Sequence, residues 1–381
     1  MKNKILKLFV VTALVAGFIC GCQKAPEGSA DEDIFHAKDS VEDEIAEIVN
    51  ETDMEQKNDI QEINCTIGTK DNAISIQAQM PDVPQNVYQI VLKENETLTK
   101  ELLKEFLESD SGNINDLSEE AEREAEQSEA ENEKSEEKAV FSVFGSAPSY
   151  KLSDGQATAG FSNGTGAYYQ DEVLYGKCAS VYKNGEETIL EKTDYAEVEK
   201  VILAKLSKIG VAEIDVYKIT QYRSESVTFY EVEFTPAYEG MGLVHELGSV
   251  AAGEVFPLGK AWVCGDNVAC LELNACLGKV EAKEKCETIL SWGQIEKILE
   301  TYLKSGKIRG GYNAVLTEVE FLYYPIFKEN ENKLELVPVW HIYTPMSTWQ
   351  ENEEMSEAFV KNGATWSICV NAVSGEIVRS E

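Results

Sequence analysis

Ile368-Cys369-Val370-Asn371-Ala372-Val373-Ser374-Gly375-Glu376-Ile377, near the end of the chain, has a counterpart in Leu271-Glu272-Leu273-Asn274-Ala275-Cys276-Leu277-Gly278-Lys279-Val280. In both stretches apolar residues alternate up to an asparagine, which is strand spacing, and Asn-Ala-x-x-Gly reads as a turn or bulge between two short strands. The stretches lie 97 residues apart, and the same offset relates Asp194-Tyr195-Ala196-Glu197 to Ser291-Trp292-Gly293-Gln294. Each of these opens a helix with a capping residue and an acid or amide three positions on. Val198, Val201, Ile202 and Leu206 then coincide with Ile295, Ile298, Leu299 and Leu303, a spacing of three and four that makes both segments amphipathic helices.

Between these ends, Phe234-Thr235-Pro236 corresponds to Tyr343-Thr344-Pro345 at an offset of 109, so the second copy carries twelve extra residues before this landmark and twelve fewer after it. Compensating loop changes between ordered landmarks are the mark of a diverged duplication. Residues 211–222 and 229–234 read as strands of the first copy, and 315–324 and 335–343 as strands of the second. The predicted fold class is α+β, with tandem helix-plus-antiparallel-sheet units at 191–285 and 286–381 and Asn274 equivalent to Asn371.

Working outward, residues 59–110 form a smaller α+β body. Ile74, Ile76, Ala78 and Met80 alternate, Tyr88, Ile90 and Leu92 alternate, and Leu102, Leu103, Phe106 and Leu107 share one side of a short helix over 98–107. A strand-rich segment at 140–190, with strands at 167–174 and 177–182, is expected to complete that body's sheet. Residues 111–139 form an acidic flexible linker: between Asp116 and Lys138 the only large apolar residue is Leu117, too little to offset the entropy of ordering.

The N-terminus reads as an address. Lys2, Lys4 and Lys7 precede an uncharged apolar run over 8–19 that is too short to remain as a comfortable membrane span. Residues 1–21 are therefore read as a signal peptide and 22–58 as an acidic tether. The ending Ile19-Cys20-Gly21-Cys22 resembles the lipobox of bacterial lipoproteins, with Cys20 where Ala or Ser is usual. That resemblance implies cleavage before Cys22, diacylglycerol on its sulfur, and a body held at the extracytoplasmic face of the cell membrane.

The helix followed by strands and closing on Asn-Ala-x-x-Gly-Glu-Ile resembles the PepSY-type unit. It is carried by Asn371, Ala372, Gly375 and Glu376 in the second copy and by Asn274, Ala275 and Gly278 in the first, where Lys279 replaces the acid. Two such units behind a membrane anchor resemble the YycH/YycI class of accessory proteins of Gram-positive bacteria, and membrane lipoproteins of clostridia-like bacteria. The resemblance covers residues 190–381 and implies binding or regulation without a catalytic residue.

A net charge of −34 disfavours nucleic acid as a partner. His245-Glu246 lacks the second histidine of a metalloprotease helix, because Ser249 stands four residues on, and the other histidines are His36 and His341. The glycine-rich run at 160–166 is not followed by Gly-Lys-Ser/Thr, and there is no Gly-x-Ser-x-Gly elbow. Cys264, Cys270 and Cys276 recur every six residues, which puts them on one face of an unbroken strand, whereas a turn at Gly265-Asp266-Asn267 sets Cys264 across from the next strand. Neither pattern has the close spacing of a structural zinc site.

The sequence thus predicts no catalytic residue, cofactor or metal. It predicts a lipid-anchored binding or regulatory module whose partner is a membrane or envelope protein, with Tyr323, Trp349 and Trp366 as candidate partner-binding anchors. The alternative is a solute- or wall-ligand-binding lipoprotein serving a transporter or sensor.

Overall fold

The computed structural model describes residues 32–51, 61–69, 72–93, 99–108, 114–119, 150–162, 166–190, 195–246, 258–275, 278–328 and 333–381, with side chains from residue 41 onward. The leader, Cys22, most of the 111–139 linker, Asp194, Ser249 and Cys276 lie outside these residues. The chain divides between Asp43 and Glu44, and among the described residues the strands all fall in the unit Glu44–Glu381.

In chain order the elements are α1 (Glu32–Asn50), β1 (Glu62–Thr69), β2 (Asn72–Gln79), β3 (Tyr88–Leu92), α2 (Lys100–Leu107), β4 (Asn115–Asp116), β5 (Tyr150–Ser153), β6 (Ala157–Ser162), β7 (Gly166–Asp171), α3 (Glu172–Asn184) and β8 (Glu186–Ile189). There follow α4 (Ala196–Leu206), β9 (Ile214–Arg223), β10 (Thr228–Pro236), β11 (Gly259–Cys264), β12 (Asn267–Leu273), β13 (Val280–Lys285), α5 (Trp292–Ser305), β14 (Val315–Leu316), β15 (Glu318–Lys328), β16 (Lys333–Tyr343), α6 (Met346–Glu351), α7 (Glu353–Ser356), β17 (Ser367–Asn371) and β18 (Ile377–Ser380). The protein is mixed α+β. Its strand pairs are antiparallel except β2 with β14 and a bridge between Leu243 and Tyr323.

Among the described residues the strands form three sheets, and the largest runs β4-β5-β6-β7-β12-β11-β10-β9-β8. Val198, Ile202 and Leu206 of α4, with Leu103, Phe106 and Leu107 of α2, bury one face of it against Val216, Ile219, Val232, Phe234, Ala261 and Leu271. The other face carries α3, whose Cys178 and Val181 pack on Tyr222, Phe229 and Ala269. Residues 172–174 and 177–182 were expected to be strand. Asp171 instead caps a helix by accepting from the Val173 and Leu174 amides, and Leu174, Cys178 and Val181 follow at helical spacing.

The second sheet runs β13-β3-β16-β17-β18, with β15 also on β16. Helix α5 covers one face: Trp292 meets Trp340 edge-on at 5.7 Å, and the Trp340 indole donates to the Leu290 carbonyl at 3.2 Å. The capping box at Ser291 and Gln294 is present, whereas Tyr195 starts α4 without a side-chain cap. Ile45 and Ile48 are buried and Gln294 donates to the Ile48 carbonyl at 2.9 Å, so the last turns of α1 dock on α5 where an acidic tether was expected.

Helix then antiparallel meander recurs, as α4-β9-β10-β11-β12 and α5-β15-β16-β17-β18. The Thr-Pro landmark marks the end of β10 and of β16 alike, with Phe234 opposite Gly259 and Tyr343 opposite Ser367. The closing landmark does not match. By register the counterpart of Asn371 is Val263, since Val339 faces Asn371 as Tyr230 faces Val263. Asn371 opens the β17–β18 turn and accepts the Val373 and Ser374 amides, while Asn274 follows β12 and donates its amide to the Leu258 carbonyl. The alternation and Asn-Ala-x-x-Gly run recur in sequence but belong to different connections, so Asn274 and Asn371 are not equivalent and the PepSY-like pairing of the copies does not carry over to their ends. Strand β13 leaves the first unit and pairs with β3 in the second sheet.

The region 59–110 is likewise spread through the molecule. Strand β1 pairs with β2 and β2 with β14, β3 inserts between β13 and β16, and α2 covers the nine-stranded sheet, so residues 150–182 do not complete a sheet with this region.

Candidate functional site

The side of the second sheet opposite α5 turns polar at one end. Glu320 faces His341 across β15 and β16, His341 faces Cys369 across β16 and β17, and Cys369 faces Arg379 across β17 and β18. Directly paired residues share a face, so these four make one row, with Glu318, Tyr343 and Ser367 on the same face. Leu322, Tyr324, Val337 and Val339 continue that face as an apolar cluster beneath Val244.

The segment after β10 adds the second imidazole. It runs along the outer edge of β15, where the Val244 amide donates to the Tyr323 carbonyl at 3.0 Å and the Tyr323 amide to the Gly242 carbonyl at 2.9 Å. That places His245 over the row, its ring stacked on Tyr217 of β9 at 3.9 Å. His341 stacks on Tyr343 at 4.2 Å.

Glu320 is the centre. Tyr343 donates its hydroxyl hydrogen to Glu320 Oε2 at 3.1 Å, His245 Nε2 lies 3.6 Å from the same oxygen, and His341 Nδ1 lies 4.0 Å from it. His341 Nε2 is 3.1 Å from the Ser367 hydroxyl. The Nδ1 atoms of both histidines are buried without a hydrogen-bond partner. Burial, with His245 and Arg379 beside it, holds His341 well below the usual imidazole range, so it is neutral at pH 7. Burial, with Glu320, Glu318 and Glu246 nearby, pushes the Tyr343 phenol well above its ordinary value. Burial also raises the carboxyl of Glu246, and that of Glu318 with the Glu320 charge adding to it.

Ser367, His341 and Glu320 follow the order of nucleophile, base and carboxylate. Ser367 and His341 are fully buried, and 4.0 Å is longer than a hydrogen bond, so a substrate does not reach the hydroxyl in this conformation. Among the described residues no group of three or more His, Cys, Asp or Glu side chains could hold a metal ion. As arranged, the row is a polar network that stores one carboxylate and two imidazoles between the sheet and the 241–246 segment.

The sequence treated His245 and His341 separately. The available signal was the alternation of polar residues in three strands, Glu318 and Glu320, His341 and Tyr343, Ser367 and Cys369, at positions that register then aligns.

The three candidate anchors are core residues. Tyr323 is 1% exposed, Trp349 8% and Trp366 9%. Tyr323 lies between the 242–244 segment and β16, and Trp349 packs on Phe359 and Trp366 with ring centroids 6.1 and 6.2 Å away. Large aromatic side chains in a strand-rich unit are mostly claimed by its core, and these are. Among the described residues the exposed large apolar side chains of the second unit are Tyr312, 74% exposed, and Val360, 61% exposed. Their segments share a seam: a Cβ on Gly311 would lie 3.9 Å from the Ala358 Cβ, and Asn313 donates to Glu354 at 3.2 Å.

No protein-family model matches this chain, and neither does any curated protein.

Proposed function

We propose that this protein is a lipid-anchored extracytoplasmic module that acts by contact on a membrane or envelope protein. The observation that carries the reading is Ile19-Cys20-Gly21-Cys22 directly after the uncharged run 8–19, which supports lipid on Cys22 and an outward-facing body. The helix-then-meander order and the Asn371–Glu376 turn support a likeness to PepSY-type units. Antiparallel pairing argues against the solute-binding alternative, because such binding proteins bind between parallel sheets.

With Tyr323, Trp349 and Trp366 in the core, the Tyr312 and Val360 seam takes their place as the contact surface. Exposed Glu353, Glu354 and Glu357 outnumber exposed Lys361 in the 353–361 segment that carries Val360. Apolar side chains beside an acidic segment fit a partner that presents an apolar patch bordered by Lys or Arg.

The test combines two variants in the native host. Cys22→Ser should release the chain from the membrane fraction or leave it unprocessed. A photo-crosslinking residue at position 312 should capture an integral membrane or envelope protein that the same probe at Ile189, exposed on the far sheet edge, does not. Normal lipid labelling of Cys22→Ser, identical products from both probe positions, or saturable turnover of a wall or peptide substrate by the purified body would each defeat the reading.

A further inference from the structure

Helix α3 lies on the nine-stranded sheet through a sandwich of rings. Tyr175 and Tyr182, two turns apart on α3, both stack on Trp262 of β11, each with a centroid separation of 5.3 Å. Cys178 stands three residues from one tyrosine and four from the other, so it belongs to the same helix stripe, and it is completely buried. Cys264 is two residues beyond Trp262 on the same strand and therefore points to the same face. Both cysteines lie in one packed cluster with Val181, Tyr222 and Phe229, and both carry free thiols. The Cys264 thiol lies close enough to act on the Cys178 thiol, and its S–H donates to the Thr228 carbonyl oxygen at 3.7 Å. Cys270, directly opposite Trp262 on β12, brings a third thiol to this face.

We propose that Cys178 and Cys264 form a disulfide that pins α3 to the sheet, with Cys270 left as the reduced neighbour. Two S–H bonds break and one S–S bond forms. The two protons and two electrons pass to a disulfide-bearing oxidant, a small disulfide or a dithiol oxidase, which leaves as two thiols.

The bond is structural rather than catalytic. Burial pushes the Cys178 thiol up to about 12 and the Cys270 thiol up to about 11, so neither supplies the thiolate that exchange requires once the helix has docked. Oxidation of Cys178 therefore belongs to folding, before α3 buries its sulfur against the sheet. The crosslink would close a long loop through β8, α4, β9 and β10, where chain-entropy gains are large. Persistence of the bond in the cell rests on the proposed extracytoplasmic placement, whereas its formation on refolding does not.

The test is thiol mapping of the full chain. Protein unfolded and reduced in urea is refolded with oxidised glutathione, blocked with iodoacetamide, digested and read by mass spectrometry. The expected product is one peptide pair joining Cys178 to Cys264, two hydrogens lighter than the reduced pair, released by dithiothreitol and absent from Cys264→Ser. Reducing the bond should lower the urea midpoint of the wild type and leave that of Cys178→Ala with Cys264→Ala unmoved. A Cys178–Cys270 product, or full alkylation of both Cys178 and Cys264 in refolded wild type, overturns the pairing. The same map on acid-quenched cells separates the two readings: a bond formed on refolding but reduced in the cell would reject the extracytoplasmic placement and leave the pairing intact.

Discussion

Glu320 and His341 face each other directly across β15 and β16, yet His341 Nδ1 stops 4.0 Å from Glu320 Oε2. The carboxylate takes its hydrogen bond from Tyr343 instead, and the imidazole takes one with Ser367. The pair is near enough to attract if the imidazole is charged, and too buried for it to charge readily.

That arrangement predicts an acid sensitivity. His341 is held below its ordinary value of 6.5 in the folded protein, so below about pH 6.5 the unfolded chain binds a proton that the folded one does not. Stability contributed by neutral His341 is present above that pH and falls as pH drops through it, by at most about 1.4 kcal/mol per pH unit. Urea unfolding at pH 7.5, 6.5 and 5.5 should show a shallower decline for His341→Gln than for wild type. Equal slopes would mean that His341 protonates as easily folded as unfolded.

Trp366 is predicted to matter for folding before it matters for any partner. It packs against Trp349, and its backbone joins the Thr344 amide to β18 through Glu381. Trp366→Ala should cost about 3–5 kcal/mol in urea unfolding, the usual range for emptying a buried aromatic site. An unchanged midpoint would return Trp366 to the surface.

Gly375 and Gly306 offer a paired test of backbone and space. Both have positive φ, +72° and +74°, but a Cβ at Gly375 would meet Ile298 at 2.8 Å and Ile45 at 3.2 Å, whereas at Gly306 nothing lies within 4 Å. Gly306→Ala should cost about 1–2 kcal/mol, the left-handed strain alone. Gly375→Ala should cost more, because α5 and α1 must also move apart. Equal losses in thermal unfolding would show that the packing of α1 on this turn contributes nothing.

The buried cation at Lys205 gives a fourth prediction. Its ammonium sits 3.6 Å from the Tyr169 ring centroid and 3.0 Å from Glu108, and desolvation lowers its pKa despite that partner. Lys205→Met should leave stability nearly unchanged or raise it, since an apolar chain of similar length avoids the desolvation cost. A loss above about 3 kcal/mol would mean the ring and carboxylate contacts outweigh burial.

Much of the fold was legible because it is local. Periodicity placed α2, α4, α5, β9, β10, β15 and β16, and the Ser291–Gln294 capping box is present as read. Periodicity failed at α3, where Lys177–Tyr182 alternates like a strand and only the Asp171 cap and the Leu174, Cys178, Val181 spacing betray a helix. It failed again at Asn274, because a turn signature reports that the chain bends and not which strand it joins next.

The candidate site was legible in its parts and not in its assembly. The sequence by itself determined the α+β class, the two amphipathic helices, and which residues of each strand share a face, since all of these follow from dihedral preference and the spacing of side chains over a few residues. Only the tertiary structure decided that β13 pairs with β3, that β2 pairs with β14, and that Tyr323, Trp349 and Trp366 face inward. It alone brought His245 over Glu320 and His341, and Cys178 against Cys264. The reason is physical: side-chain alternation fixes a strand's two faces, but hydrogen bonding between backbones is the same for every sequence, so the choice of neighbour rests on long-range packing that no local stretch encodes.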